Sequence, residues 1–500
     1  MTLKLHNTLT KTTEEFKPQD ANKVTLYTCG PTVYNYLTVG NWFGYIMWDV
    51  LVRTLRANDY TVERVMNITD VGHLVSDADD GEDKLEKGAR LEEKTAWEIA
   101  QFYTDDFIEG MKKLNLITPE YLTKATEYIP QQLDLVRQLK EKGYTYQIDD
   151  GIYFDTSKFS TYADFADLDL AGQKAGARVE FNSKKRNPSD FALWKFTPLD
   201  EKRDMEWPTP EWLLEDGNEN MTSAESKSAN SQLPNSISKT MGFPGWHLEC
   251  SSMAMTILGD TLDIHTGGID HIPIHHTNEI AQSESSTGRQ FARFWLHNNH
   301  LTVNGTKISK SLGNGYTLSD LAEKGYNALD YRMFALQSQY RNESNFSFDN
   351  LDAAHNRLHN WRNIAALRHQ THDTLNNQSK GDDTSLAAIW AIREALNNDL
   401  NTPEALRIID EVFTHLESYD KEQVNRDALV SLLEAIDSTL GLQLLETTSD
   451  ISDEYKQIIL EREDSRDRKD WDESDRLRLK LLETGIVLKD TSKGTIWQYA

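Results

Sequence analysis

The 500-residue sequence contains only two cysteines and no long apolar segment. A chain of this length with two cysteines is not a disulfide scaffold, which favours a reducing compartment. No segment approaches the roughly 20 apolar residues that a membrane-spanning helix needs. The polar N-terminus, Met1-Thr-Leu-Lys-Leu-His-Asn-Thr8, lacks the apolar core of a secretion signal. We therefore expect a cytoplasmic protein that has no membrane contact.

Basic residues are also scarce. Lys and Arg total 53 against 80 Asp and Glu, which gives a formal net charge of −27. Taken alone, this balance argues against a nucleic-acid partner, because like charges repel. Binding depends on local patches, however, and segment 462–480 is rich in Lys and Arg interleaved with acids. That segment is compatible with an RNA contact and also with a salt-bridged, solvated helix.

What the sequence does contain indicates a multidomain α/β protein. Its 38% hydrophobic content and 12 Trp can fill sizeable cores. Val24–Tyr27 and Glu63–Ile68 are typical of buried strands, and 42–58 carries an apolar helical pattern after a Gly-Pro turn. A strand, a tight loop and a helix in this order place backbone N–H groups near a phosphate. The sequence thus predicts a Rossmann-like nucleotide-binding domain.

Both cysteines lie in dense motifs that suggest a metal site. Cys29 falls in Tyr27-Thr-Cys-Gly-Pro-Thr-Val33, and Cys250 ends Gly245-Trp-His-Leu-Glu-Cys250. His275 and Glu279 follow, and a spacing of four places them on one face of a helix. Thiolate, imidazole and carboxylate are the groups that zinc prefers. A disulfide, or two buried thiols with no metal, remains the alternative.

A second motif suggests a phosphate-binding loop. Lys307-Ile-Ser-Lys-Ser311 lies between Gly305 and Gly313. Two lysines offer mobile positive charges for a triphosphate, and the glycines allow the loop to close over a nucleotide. A solvated basic surface loop is the alternative, since short Lys/Ser strings are common.

Taken together, these motifs resemble the class I aminoacyl-tRNA synthetases, and within that class the cysteine–tRNA ligase family. The resemblance runs from about residue 20 to the C-terminus, and the matching segments agree in order and separation. They are Thr28–Val33, Asn67-Ile-Thr-Asp70, Phe243–Cys250, Asp263-Ile-His265, His275-His-Thr-Asn-Glu279, Lys307–Ser311, Asp399-Leu-Asn-Thr-Pro403 and Gly485–Trp497.

The resemblance implies a role for particular residues. The implied zinc ligands are Cys29, Cys250, His275 and Glu279, and the implied amino-acid-binding residues are Thr69, Trp246 and His265. The implied ATP-binding residues are Gly40, Asn41, Lys307, Ser309 and Lys310, with Mg²⁺ accompanying the ATP; Thr38, Asn41, Lys307 and Lys310 are the implied catalytic residues. Ordinary packing is the alternative for Trp246, and a structural histidine at a strand end is the alternative for His265.

Zinc chemistry explains why a cysteine-selecting enzyme would use this metal. Zinc deprotonates a coordinating thiol and binds the thiolate strongly, whereas a serine hydroxyl stays protonated and ligates poorly. Shape alone would separate such similar side chains by only about 1–3 kcal/mol. Four protein ligands normally form a closed structural site, so selection requires the substrate sulfur as an added ligand. A purely structural metal remains the alternative.

The sequence departs from the family at one catalytic position. Thr38 stands where the class I signature opens with histidine, while Val39, Gly40 and Asn41 fit the pattern. Threonine is shorter and cannot carry a proton at neutral pH. Losing one transition-state donor typically lowers a rate by on the order of 10²–10³. The enzyme is therefore slower, or Asn41 or His73 compensates, or the chain is a degenerate copy.

The expected domain organisation follows the family. It comprises 1–115, the first half of the catalytic domain; 116–210, a connective insertion; 211–240, a polar mobile loop; 241–300, the second catalytic half; 301–345, the Lys307-loop region that contacts the tRNA stem; 346–445, a helical bundle; and 446–500, an anticodon-binding module. In the bundle, Leu351, Ala354, Leu358, Trp361 and Ala365 recur at helical spacing.

The predicted function is ATP-dependent activation of L-cysteine and its transfer to tRNA(Cys) by a monomeric enzyme. A ligase that joins activated cysteine to a small-molecule amine is the first alternative, and the C-terminal resemblance disfavours it, because a small acceptor needs no anticodon module. A non-catalytic zinc protein that binds RNA is the second alternative, and Thr38 motivates it. Exchange of pyrophosphate into ATP in the presence of cysteine separates the enzymes from the non-enzyme.

Overall fold

The computed structural model of the chain describes residues 2–71, 83–169, 184–198, 203–214, 237–309, 312–370, 383–418, 425–491 and 494–500. Its strands are β1 Lys4–Asn7, β2 Thr12–Glu15, β3 Lys23–Thr28, β4 Thr61–Ile68, β5 Tyr121–Lys124, β6 Thr145–Ile148, β7 Gly151–Phe154, β8 Phe191–Pro198, β9 Trp207–Pro208, β10 Ile237–Pro244, β11 Leu262–Gly268, β12 Ala292–Asn298, β13 Leu301–Val303, β14 Thr306–Lys307, β15 Ser344–Phe346, β16 Ile486–Thr491 and β17 Gly494–Tyr499.

The helices of the same residues begin with α1 Val39–Ala57, α2 Lys84–Glu92, α3 Ala96–Lys113, α4 Ile129–Glu141, α5 Trp246–Leu258, α6 Thr277–Thr287, α7 Leu318–Glu323 and α8 Ala328–Leu336. They continue with α9 Phe348–Ala365, α10 Asp383–Asn397, α11 Thr402–Ser418, α12 Arg426–Leu440, α13 Leu444–Thr447, α14 Asp453–Asp467 and α15 Trp471–Leu482. Among these helices, none has the length and apolar composition needed to cross a bilayer.

A five-stranded parallel sheet forms the centre of the fold around the two cysteines. Its strands lie in the order β12-β11-β3-β4-β5, and each neighbouring pair is parallel. The apolar residues of β3 and the N-terminal part of α1 are buried, as a sheet covered by helices requires. The predicted strands at 24–27 and 63–68 and the helix through 42–58 are confirmed. Because all five strands run the same way, their carboxyl ends share one edge, where ligands bind in open α/β folds.

An antiparallel sheet is formed by the part of the chain that lies between β5 and β11, whereas β11 itself pairs directly with β3. Its order is β6-β7-β8-β10-β9, and β10 pairs with both β8 and β9. Strand β10 starts at Ile237, inside the segment that the sequence predicts as a polar loop ending at residue 240. Backbone ladder bonds do not require apolar side chains, so composition alone could not place this strand. The rest of that loop, 215–236, lies outside the described residues.

Helices and a terminal hairpin complete the chain. The predicted apolar stripe of α9 is buried, with Leu351, Ala354, Leu358 and Ala365 at 0% exposure and Trp361 at 2%. Helices α14 and α15 pack against each other and, around buried Trp497, against the β16–β17 hairpin. This end of the chain is therefore helical and closes with a two-stranded hairpin.

A buried ionic cluster joins α1 to α8 and α12. Asp49 accepts hydrogen bonds from Arg53 and from Arg332, and the Arg332 and Asp49 side chains are fully buried. Arg332 also donates to the carbonyls of Leu440, at 2.6 Å, and Leu114, at 2.9 Å. The cluster thus connects α1 with α8 and α12.

Candidate metal and nucleotide site

Four side chains from four different elements meet at the carboxyl edge of the parallel sheet. Cys29 follows β3, Cys250 lies in α5, His275 lies in a turn of π-helix just before α6, and Glu279 lies in α6. One potential ligand atom from each lies within 4.8 Å of the others, and all four residues are buried. The structure therefore brings the predicted metal ligands together.

The charges of this cluster favour a cation. Burial alone would raise the pKa of the Cys250 thiol, but its hydrogen bond with Cys29 and the charge of His275 lower that pKa to about 6. Burial would likewise raise the pKa of Glu279, yet His265 and His275 hold it well below its usual range. Burial and the neighbouring Cys250 keep the pKa of Cys29 high. A divalent cation would replace these shared protons and stabilise both thiolates.

Neighbouring groups orient the ligands. His265 Nε2 lies 2.6 Å from Glu279 Oε2, and His275 Nε2 lies 2.6 Å from the other oxygen, Oε1. His275 Nδ1 lies 3.0 Å from His247 Nδ1, so one of these two atoms carries the shared proton. Ligating histidines commonly use their second nitrogen in this way. Two sulfurs, an imidazole and a carboxylate held in a buried cluster fit zinc.

The sequence reasoning missed further histidines around the cluster. His247 and His271 lie beside His275, and His276 lies between Cys29 and His297. Seven of the 14 histidines fall between residues 247 and 300. That local density was a signal in the sequence, although it does not say which imidazoles face the site.

Two of the three predicted amino-acid-binding residues, Trp246 and His265, contact members of the candidate metal-ligand cluster. The Trp246 ring centroid lies 4.5 Å from that of His275. Thr69 follows β4, is buried, and accepts a hydrogen bond from Asn67 Nδ2 at 3.0 Å. His265 stacks on Trp295 at 4.5 Å and contacts Glu279. His265 lies inside β11 and not at a strand end, because β11 continues to Gly268.

Two of the predicted ATP-binding residues, Gly40 and Asn41, lie in the first turn of α1. Thr38 precedes this helix, and its backbone N–H and its hydroxyl each donate to Asn41 Oδ1 at 2.9 Å. The Lys307 loop packs on the same point, since a Cβ added at Gly40 would lie 2.8 Å from Ile308 Cδ1. Glycine at position 40 therefore permits close approach of the loop. A helix N-terminus facing a basic loop suits an anionic phosphate.

The loop itself is braced by Asn314. Its Oδ1 accepts from the Ser309 backbone at 2.9 Å, and its Nδ2 donates to the Lys307 carbonyl at 3.2 Å. Lys307 ends β14 and is exposed. Lys310 lies outside the described residues, as does His73.

Three models of known protein families match almost the whole chain. The model of the tRNA synthetases class I (C) catalytic domain matches residues 15–214 and 224–356. The DALR domain model matches 391–445, and the cysteinyl-tRNA ligase anticodon binding domain model matches 448–497.

Full-length relatives and solved structures agree with these models. The cysteine–tRNA ligase of Treponema denticola is 37% identical over all of both chains, and that of Chlorobium chlorochromatii is 39% identical over 99% of both. Mycobacterium tuberculosis methionyl-tRNA synthetase in complex with methionyl-adenylate superposes with a TM-score of 0.55 at 14% identity, covering 84% of this chain and 92% of its own. Agrobacterium radiobacter LeuRS, solved with tRNA and LeuAMS, has a TM-score of 0.59 at 13% identity, covering 87% and 86%. The structural likenesses show a shared fold.

Proposed function

Since the chain belongs to the cysteine–tRNA ligase family of the class I aminoacyl-tRNA synthetases, we propose that its buried Cys/His/Glu cluster and its Lys307 loop form one active site. The enzyme is a cysteine–tRNA ligase that activates L-cysteine with ATP and esterifies tRNA(Cys). The single observation that carries the proposal is the convergence of Cys29, Cys250, His275 and Glu279, which are all buried and bring one potential ligand atom each within 4.8 Å of the others.

The cluster would hold one Zn²⁺, whose chemistry there is to bind the thiol of cysteine as a thiolate. His265 would keep Glu279 oriented through its 2.6 Å contact with Oε2. Trp246, which lies beside His275, and Thr69 would hold the body of the amino acid, which leaves its carboxylate free to react. Serine has no thiolate to offer, so discrimination would come from bonding and would not need a proofreading domain.

The first reaction needs charge compensation more than covalent help from the protein. An oxygen of the cysteine carboxylate attacks the α-phosphorus, the bond from phosphorus to the β-phosphate oxygen breaks, and pyrophosphate leaves. Gly40 and Asn41 would receive the nucleotide at the helix N-terminus. Lys307, Ser309 and Lys310, together with Mg²⁺, would neutralise the phosphates. Thr38 would lie beside the same phosphates in place of a histidine.

In the second reaction, a hydroxyl of the terminal tRNA ribose attacks the adenylate carbonyl, and AMP leaves. The C-terminal module 446–500 would select the tRNA by its anticodon, and region 301–345 would contact its stem. A basic patch is sufficient for this despite the net charge of −27. We also propose that the enzyme is a monomer and works in the cytoplasm.

Three measurements test this proposal. Purified protein should contain about one zinc per chain and should exchange pyrophosphate into ATP with cysteine but not with serine. Cys29→Ser should lose the metal and the exchange together, and tRNA(Cys) should accept cysteine from the wild-type enzyme. Zinc-free wild-type protein that still prefers cysteine would refute the metal assignment. Exchange without tRNA charging would instead favour a small-molecule acceptor.

A further inference from the structure

The backbone N–H groups that open α1 are not equally available to a ligand. A helix leaves its first four N–H groups without an intrahelical acceptor of the usual kind. In α1, three of them find another acceptor: Thr38 donates to Asn41 Oδ1 at 2.9 Å, Val39 to the Tyr316 carbonyl at 2.7 Å and Asn41 to the Thr38 carbonyl at 3.0 Å. Among the described residues, none accepts from the Gly40 N–H. The Gly40 N–H is therefore the donor at this helix start that is left for a bound group.

This N–H shares its peptide group with the Val39 carbonyl, and that carbonyl is held from outside the helix. The Tyr331 hydroxyl donates a hydrogen bond to it. Because a trans peptide is planar, its N–H points opposite to its C=O, so a group that fixes the direction of the Val39 carbonyl also fixes that of the Gly40 N–H. A hydrogen bond to the carbonyl also polarises the peptide, which makes its N–H a stronger donor.

Tyr331 has a fixed position from which to do this. Its side chain is 0% exposed, and its ring stacks on Phe334, with centroids 5.7 Å apart, and packs against Phe346 at 6.2 Å. The next residue, Arg332, forms the buried ion pair with Asp49 of α1. Helix α8 is thus held against α1 by two neighbouring side chains. Burial raises the pKa of Tyr331 well above its ordinary value, so its phenol stays protonated and remains a donor.

The Lys307 loop reaches the same peptide. A Cβ added at Gly40 would lie 2.8 Å from Ile308 Cδ1, so the loop residue next to Lys307 packs on Gly40. An anion beside Gly40 would therefore meet both the available N–H and the loop that carries Lys307. Helix N-termini of this kind bind phosphate through such N–H groups.

We propose that Tyr331 is a positioning residue of the nucleotide site, which aims the Gly40 N–H at a phosphate of ATP by holding the Val39 carbonyl. The inference rests on the proposed function, in which Gly40 and the Lys307 loop receive ATP, and adds to it a residue of α8 that no sequence motif indicated. The Tyr331 hydroxyl acts through the peptide and does not touch the nucleotide, since its hydrogen bond is spent on the backbone of α1.

The test compares full-length wild type with Tyr331→Phe, which removes the hydroxyl and keeps the ring. In pyrophosphate exchange, kcat/KM for ATP should fall about tenfold, because losing a transition-state donor outright typically costs on the order of 10²–10³ and a misaligned donor keeps part of its effect. The KM for cysteine should stay that of the wild type, since the metal cluster does not involve α8.

Adenosine serves as the second probe, because it carries the base and ribose of ATP without the phosphates. Its inhibition constant against ATP should be the same in Tyr331→Phe and in the wild type. A residue that only supports the shape of the pocket would weaken ATP and adenosine together, whereas one that acts on a phosphate contact changes ATP alone.

Tyr340→Phe is the matched control. Tyr340 is also 0% exposed, and its hydroxyl donates to Asp399 Oδ1 at 2.8 Å, a carboxylate outside α1. Both variants lose one buried hydroxyl hydrogen bond, so both should lower the melting temperature, but Tyr340→Phe should keep the wild-type kinetics with ATP. Tyr331→Leu is a second variant without the hydroxyl and should show the same selective loss for ATP as Tyr331→Phe.

The outcomes separate this inference from the proposed function. Wild-type protein without cysteine-dependent exchange overturns both. An active wild type beside a folded Tyr331→Phe that uses ATP equally well overturns the role of Tyr331 alone. An equal loss for ATP and adenosine, or for ATP and cysteine, overturns it too, as does the same selective loss for ATP in Tyr340→Phe. If Tyr331→Phe does not fold, Tyr331→Leu is judged by the same criteria, and failure of both to fold makes Tyr331 a structural residue and overturns the inference.

Discussion

Replacing Thr38 with histidine tests the one catalytic position where the sequence departs from its family. The Thr38 hydroxyl donates to Asn41 Oδ1 at 2.9 Å, and the Thr38 backbone N–H donates to the same oxygen at 2.9 Å. The side chain is only partly buried. A Cβ placed at Gly315 would lie 3.1 Å from the Thr38 methyl group, so no side chain at position 315 blocks a larger residue.

The expected gain follows from two opposing effects. Removing the hydroxyl removes one hydrogen bond, worth about 0.5–1.5 kcal/mol to stability, but Asn41 still accepts the backbone N–H and the helix start is retained. An imidazole at this point adds a donor to the phosphates in the transition state. A tenfold acceleration corresponds to about 1.4 kcal/mol, which is the low end of what one such donor supplies. We expect Thr38→His to form the adenylate about tenfold faster.

Rapid-quench measurement of adenylate formation is the appropriate assay, because steady-state charging can be limited by product release. Thr38→Val is the matched control, since it removes the hydroxyl and keeps the branched shape. The reasoning is refuted if Thr38→His is slower than Thr38→Val while ATP and cysteine bind normally. That result would mean that the pocket is built around threonine, with Asn41 and His73 the next positions to test.

Three further predictions address the loop, the ionic cluster and the terminal hairpin. Lys310→Ala should lower the rate of cysteine activation far more than the affinity for cysteine, whereas Lys324→Ala should change neither. An unchanged rate of pyrophosphate exchange in Lys310→Ala would indicate that 307–311 is a solvated surface loop. Asp49→Asn should lower the free energy of unfolding by about 3–5 kcal/mol, because it leaves the fully buried Arg332 without its carboxylate, and a loss below about 1 kcal/mol in urea denaturation would contradict this. Hydrogen bonds from Arg462 lower the pKa of Asp490 to about 2, so its stabilising contribution is complete above the ordinary value of 3.8 and is lost as the pH falls through about 2. Hydrogen exchange of the β16–β17 hairpin should therefore be faster in Asp490→Asn than in the wild type at pH 5, and this difference should shrink as the pH falls and vanish below about pH 2; an undiminished difference at that pH would refute the linkage.

Local patterns in the sequence were sufficient for β3, β4, α1 and the buried face of α9. The apolar runs at 24–27 and 63–68 and the helical stripe of α9 depend on periodicities of two and 3.6 residues, which neighbouring residues alone establish. Strand β10 was missed in part, because the polar residues 238–240 follow its first residue and its order comes from pairing with β8. A pairing between distant segments leaves no trace in local composition.

The sequence by itself determined which chemistry this protein carries, because a thiol, an imidazole or a carboxylate brings its own affinity for metal wherever it lies. Cys29, Cys250, His275 and Glu279 could therefore be named as candidate ligands from residue type and motif. Only the tertiary structure decided that Glu279 aims one oxygen at His275 and the other at His265, and that Thr8 and His297 support His276. The physical reason is that parallel strands require long crossover connections, so residues far apart in the chain meet at one sheet edge. Their distances depend on strand order and helix packing, which no local pattern records.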